Sequence, residues 1–187
     1  MNNENKILLH ACCGICSAYP IQLLKELGYT PVVYFYNPNI DTKVEFDRRL
    51  EAQKKVCEYH NVELIVEPYC PSEYISVVTG YESEPEGGKR CVLCFKLRLL
   101  KSAYKSKELG IKYFTTSMVI SPHKNFKLLS AIGEDIAKHI DSVDYISIDF
   151  KKKDGFLKTN KISKDLNLYR QNYCGCKFAK GHLVSKL

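Results

Sequence analysis

Leu8-Leu9-His10-Ala11-Cys12-Cys13-Gly14-Ile15-Cys16 is the stretch from which the architecture follows. The run Lys6 to Leu9 that leads into it reads as a buried strand. A turn with three cysteines comes next, and a helical pattern starts at Ser17. Open parallel sheets collect their ligands beyond the carboxyl ends of their strands, and the N-terminus of the following helix favours thiolate over thiol. The turn is therefore suited to hold anionic sulfur.

Outward from it, Ser17 to Leu27 sets Ile21, Leu23, Leu24 and Leu27 at helical intervals and stops at Gly28. Pro31 to Tyr36 predicts a second buried strand, closed by the turn Asn37-Pro38-Asn39. Asp41 is placed to cap a helix over Thr42 to His60, with Val44, Leu50, Val56 and Cys57 inward, and Val62 to Val66 predicts a third strand. A short helix over Pro71 to Val78 precedes a loop or lid, Gly80 to Gly88. Cys91 to Leu109 predicts a long helix that turns Val92, Leu93, Leu97, Leu99 and Leu100 inward. Lys112 to Met118 predicts a fourth strand, Asn125 to Ile140 a helix, and Val143 to Ile148 a fifth strand. Beyond Lys151 the pattern is less regular, with a helix over Ser163 to Arg170 and a tight turn at Tyr173-Cys174-Gly175-Cys176.

Strands alternating with helices predict an α/β fold: a Rossmann-like, doubly wound, five-stranded parallel sheet with right-handed crossovers. An order of 3-2-1-4-5 puts the switch point between the first and fourth strands and brings together the loops after His10 and Met118. Residues 1–187 read as one domain, in which an irregular cysteine-bearing C-terminal extension, 151–187, completes the site.

A chain of 187 residues can bury a core without staples, so its nine cysteines are not needed as scaffolding. No apolar stretch approaches the roughly 18 to 20 residues of a membrane span, and Met1 to Lys6 lacks the apolar region of a secretory signal. The expectation is a cytoplasmic protein without membrane attachment, where clustered thiols mean metal or redox work. The formal charge of +7 is unevenly spread: residues 1–88 hold 7 Lys/Arg against 13 Asp/Glu, and residues 89–187 hold 21 against 8. A basic half of that kind suits a phosphate backbone, although a lysine-rich surface has the same composition.

Seven cysteines fall into three tight groups: Cys12, Cys13 and Cys16; Cys91 and Cys94; Cys174 and Cys176. A zinc ion takes four ligands and an iron-sulfur cube four thiolates, so seven exceed one site. Two adjacent centres satisfy the number, as does one centre beside a redox-active dithiol. Structural zinc sites are the plainer alternative. Cys57 and Cys70 read as packing residues, and His10 and His123 as hydrogen-bonding neighbours.

These motifs, in this order, resemble the cobalamin-independent epoxyqueuosine reductases. The likeness runs through His10-Ala11-Cys12-Cys13 with Cys16, Tyr36-Asn37-Pro38-Asn39-Ile40, Glu45 and Arg48, and Glu86-Gly87-Gly88-Lys89-Arg90-Cys91-Val92-Leu93-Cys94. It continues in Ser121-Pro122-His123-Lys124, Asp149 to Phe156 and Tyr169 to Cys176. Ile15 and Asp41 depart from the proline and histidine common at those places in the family.

The resemblance implies a two-electron removal of the epoxide oxygen from epoxyqueuosine at the tRNA wobble position. It also implies a [4Fe-4S] cluster on Cys12, Cys13, Cys91 and Cys94, and a mononuclear iron, for which zinc can substitute, on Cys16, Cys174 and Cys176. Partners would be the modified tRNA and an unidentified electron donor. Tyr173, His10 and a metal-bound water are candidate proton donors. Lys124, Lys151, Lys152, Lys153, Arg170 and Lys177 could neutralise phosphates, with Arg48 also on the binding side. Tyr36 could stack on the base, and Asn37, Asn39 and Gln171 could read its polar groups. The fold implied is also that of ATP-pyrophosphatase tRNA thiolases (HUP-type), whose glycine-rich phosphate loop is replaced here by the cysteine turn. Rival readings are a thiol-disulfide oxidoreductase and a non-catalytic metal-containing tRNA-binding module.

Overall fold

β1 (Lys6–His10) lies at the centre of the sheet because its side chains can be buried on both faces: Ile7, Leu8 and Leu9 are wholly enclosed. Each such side chain contributes about 1.5–3 kcal/mol of burial. The computed structural model describes residues 5–182, with side chains through Ala179. The chain continues through α1 (Gly14–Glu26), β2 (Thr30–Phe35), α2 (Lys43–His60), β3 (Glu63–Val66), α3 (Pro71–Val78) and α4 (Lys89–Glu108). β4 (Tyr113–Thr116), a 3₁₀ turn Ser117–Ile120, α5 (Phe126–Lys138), β5 (Asp144–Tyr145), α6 (Gly155–Asp165) and a second 3₁₀ turn, Lys177–His182, complete it.

All pairings are parallel and the order is β3-β2-β1-β4-β5, with Leu9 opposite Val33 on one side and Thr115 on the other. Strand order reverses at β1, so right-handed crossovers send the helices to opposite faces, where α1 packs with α2 and α6, and α4 packs with α5. The carboxyl ends of β1 and β4 thus open side by side.

Several boundaries differ from the sequence expectation for identifiable reasons. α1 starts at Gly14 rather than Ser17, which brings Cys16 into its first turn. Thr42, not Asp41, caps α2 by accepting the Glu45 N–H at 3.2 Å. β4 stops at Thr116 because its hydroxyl accepts the Met118 N–H at 3.2 Å and turns the chain into a 3₁₀ turn. The last helix spans Gly155–Asp165, not 163–170. Its buried face is Gly155, Thr159 and Ser163, small and polar, while Leu157 points to solvent; an apolar periodicity search looks on the wrong side. Val44 likewise is 63% exposed instead of inward.

Gly14 is where α1 meets α2: a Cβ there would lie 2.4 Å from the Ala52 carbonyl oxygen. Gly14→Ala is expected to destabilise the protein by about 1–3 kcal/mol, read from urea unfolding, because the helices must separate at the cysteine turn.

Candidate metal centre

The β1–α1 turn gathers Cys12, Cys13 and Cys16 with all three Sγ atoms within 4.8 Å of one another, and Cys12 and Cys13 Sγ 3.9 Å apart. Among the described residues it is the single group of three or more metal-ligating side chains drawn this close. The unsatisfied N–H groups of the first turn of α1 lie beside it, and that turn carries no acidic residue to oppose negative sulfur. Cys12 is held well below the usual thiol range, chiefly by hydrogen bonding with Cys13 and Cys16, and those two thiols are pushed up in return.

The other four cysteines approach from α4 and the C-terminal extension. Cys94, Cys174 and Cys176 share a small apolar cluster with Tyr74, whose hydroxyl lies 2.9 Å from Cys176 Sγ. Burial and then Arg98, Cys174, Cys176 and Cys91 act on Cys94, whose thiol is pushed up to about 12. Cys91, raised by burial, accepts the Gly87 N–H at 3.2 Å and lies within electrostatic reach of Cys174. Without metal the thiols lie as a tight N-terminal group, Cys12, Cys13 and Cys16, and a second set that approaches it, Cys91, Cys94, Cys174 and Cys176. Cys57 and Cys70 stand outside both sets: Cys57 is buried beneath Gln53, and Cys70 caps α3 beside Ser72.

A cleft of about 670 Å³ at the switch point joins the two sets, with Cys12, Cys16 and Cys174 in its wall. Three cations face the sulfurs. Arg98, 3% exposed, donates to Asn37 Oδ1 at 2.6 Å and has no carboxylate within ion-pair reach among the described residues. Arg49 is held by Glu45 at 2.7 Å and donates to the Tyr173 and Cys174 carbonyls, both at 3.1 Å. Lys124 is ion-paired to Glu86 at 3.3 Å, and its Nζ lies 3.5 Å from Cys174 Sγ. Burial opposes its charge, yet Cys174, Glu86 and Cys91 together push Lys124 above the ordinary lysine range.

The C-terminal turn is clamped from α2. Gly175 adopts φ +97°, its carbonyl accepts the Asp41 N–H at 2.9 Å, and a Cβ there would lie 2.9 Å from Arg49 Nη1. Tyr173 donates its hydroxyl to Asp41 Oδ1 at 2.8 Å, and Tyr169 to Glu45 Oε2 at 2.8 Å.

The remaining sequence candidates divide. Gln171, Arg170, Tyr173 and Lys124 line the cleft. Tyr36, Asn37 and Asn39 do not; all three are buried. Tyr36 donates to Glu73 and packs on Tyr34, so it offers no open ring for stacking, and Asn37 is the brace that orients Arg98. His10 is wholly buried between Thr116 Oγ1 (2.9 Å) and the Tyr36 carbonyl (3.1 Å). Burial first, then Arg98, pulls it down to about 3. It is neutral and enclosed, and does not line the cleft. Lys124 faces sulfur rather than solvent, Lys151 donates to the Lys124 carbonyl at 3.1 Å, and Arg48 lies over the Tyr169 ring on the outer side of α2. Arg49, Arg98 and Asn160 were missed. The Glu45/Arg49 spacing of four was the signal for Arg49; Arg98 and Asn160 carried none.

An open parallel sheet with a thiol-lined, cation-backed cleft at its switch point defines a Rossmann-like α/β protein able to bind metal at its carboxyl edge. The chain belongs to the epoxyqueuosine reductase QueH family, whose profile matches residues 7–182. It is 40% identical over 179 residues to the epoxyqueuosine reductase QueH of Streptococcus pyogenes serotype M1, covering 92% of this chain and 69% of that one. To the Staphylococcus aureus protein of the same name it is 39% identical over 183 residues (93% and 75%), and to that of Dehalococcoides mccartyi 38% over 176 residues (94% and 92%). Among solved structures it is similar to the U34-tRNA thiolase NcsA from Methanococcus maripaludis with its [4Fe-4S] cluster: TM-score 0.61, 17% identity, 95% of this chain and 62% of that one. At that identity the likeness is one of fold. No described helix is long and apolar enough to cross a membrane.

Proposed function

We propose that this protein removes the epoxide oxygen of epoxyqueuosine in tRNA, with a [4Fe-4S] cluster and an adjacent mononuclear iron as its resident metals. The reaction consumes two electrons and two protons; both C–O bonds break, an alkene forms and the oxygen leaves as water. The observation that carries this reading is the shared cleft, in which Cys12, Cys16 and Cys174 meet beside buried cations. The donor sets fit. Thiols within 4.8 Å of one another suit one tetrahedral ion with metal–sulfur bonds of about 2.3 Å, and three ligands leave a fourth position open. Cys91, Cys94, Cys174 and Cys176 would supply the four thiolates of a cube. When bound, these groups supply electrons singly and a Lewis-acidic position for the departing oxygen.

The protein's own side chains do the rest. Arg49, Arg98 and Lys124 offset the negative charge of thiolates in a site where water screens little. Tyr173 keeps its proton on Oη at neutral pH, because burial and the Asp41 carboxylate both raise it, and it stands in the cleft wall as the candidate proton source. Exposed Arg170, Lys152, Lys153 and Lys177 are the cations left to meet tRNA phosphates.

The test is incubation with tRNA carrying epoxyqueuosine and a low-potential reductant, followed by nucleoside mass spectrometry. Queuosine is the expected product; unchanged nucleoside with metal-replete protein rejects the assignment. tRNA affinity is expected to fall by about tenfold or more between 50 and 200 mM salt, as phosphate contacts require, and a flat response would remove the basic surface from the interface.

A further inference from the structure

The cleft is rich in hydrogen-bond donors and poor in acceptors. Its arginines and Lys124 all donate, and Glu86 is taken by Lys124. Two enclosed amide oxygens in its wall, Gln171 Oε1 and Asn160 Oδ1, have no hydrogen-bond partner among the described residues. A buried carbonyl left unpaired costs stability, so two of them on residues that line one cavity point to a ligand that brings O–H or N–H groups.

The Gln171 oxygen is oriented before any ligand arrives, and the backbone that carries Asn160 is anchored beside it. Gln171 Nε2 donates to Cys13 Sγ at 2.8 Å; a sulfur that binds metal only accepts, so the amide nitrogen belongs on that side and the oxygen faces away from it. Asn160 sits on α6 one residue after Thr159, whose hydroxyl donates to the Ile15 carbonyl at 2.6 Å and accepts the Tyr19 N–H at 3.3 Å. That doubly bonded threonine ties α6 to α1, the helix that carries Cys16.

We propose that Asn160 and Gln171 form a diol-recognising acceptor pair, accepting the two hydroxyls of the substrate's epoxide-bearing ring and setting the epoxide against the thiol centre. This rests on the epoxyqueuosine reading. The ring hydroxyls, rather than the nucleobase, are assigned here because Gln171 touches the sulfur of Cys13 and is therefore beside the reacting carbons. Asn160 and Gln171 are specificity residues: they select the modified nucleoside and hold no part of the electron transfer.

The experiment measures binding by the metal-replete protein without reductant, using tRNA carrying epoxyqueuosine and the same tRNA with an unmodified wobble base. Wild type should prefer the modified tRNA. Asn160→Leu and Gln171→Leu should each cut that preference by about fivefold, the worth of one hydrogen bond, and leave affinity for the unmodified tRNA unchanged. Asn160→Asp retains an acceptor and should keep the preference within about twofold of wild type, which separates lost recognition from a disturbed helix. Leucine variants that discriminate as well as wild type overturn the acceptor pair while leaving the reductase reading intact. A wild type that turns the substrate over yet binds both tRNAs equally also overturns the pair alone. A wild type that neither discriminates nor turns over removes both.

Discussion

Alanine at Cys13 is expected to reduce turnover by more than about 100-fold, beyond the cost of losing an outer hydrogen-bonding partner of a metal ligand. On the proposed assignment the ion would lose one of its three sulfurs, which lie within 4.8 Å of one another, and the Gln171 N–H would lose its acceptor. Metal analysis should show the loss of one equivalent with the iron-sulfur absorbance retained, whereas Cys94→Ala should bleach that absorbance. The internal control is Cys57→Ala, which removes an equally buried thiol that touches Gln53 and neither cysteine set. It should keep metal and activity. Cys13→Ala that retains the full metal complement would dismiss the triad as a site.

The second large effect has opposite signs in the two states of the protein. Arg98 is a buried guanidinium without a carboxylate partner among the described residues, braced by Asn37 and facing Cys12 and Cys94. In metal-free protein the only counter-charge facing it among the described residues is the Cys12 thiolate, and the desolvation of a buried guanidinium outweighs that one attraction, so Arg98→Met, of similar volume and apolar, is expected to leave stability unchanged or raise it by about 1–4 kcal/mol. In metal-loaded protein the same cation offsets anionic sulfur. Its removal should lower the reduction potential and speed metal loss to a chelator. Urea unfolding of the metal-free variant and redox titration of the loaded one read the two halves separately. A variant destabilised in both states to the same degree would make Arg98 a structural residue only.

The sheet was legible because its central strand is an uninterrupted apolar run and each turn is marked by glycine, asparagine or proline. What misled was burial of the other kind. α6 packs through Gly155, Thr159 and Ser163, and a Cβ on Gly155 would lie 1.7 Å from the Phe150 carbonyl oxygen, so close backbone approach stands in for apolar contact. The seven thiols were legible as a set, since turns concentrate them in three motifs. How the motifs lie in space was not, because Cys174 and Cys176 are placed by the Arg49 clamp on their turn, a tertiary feature. The same holds for the substrate residues: Asn37 in an Asn-Pro-Asn turn looks like a binding group, and in the fold its amide accepts from Arg98 and donates to the Ala11 carbonyl.

The most direct measurement is the iron and acid-labile sulfide content of anaerobically reconstituted protein, taken together with its absorbance. About four sulfides and about five metal ions per chain are predicted, with brown colour. Colourless protein that holds zinc alone and no sulfide, under conditions in which it is folded, would contradict it.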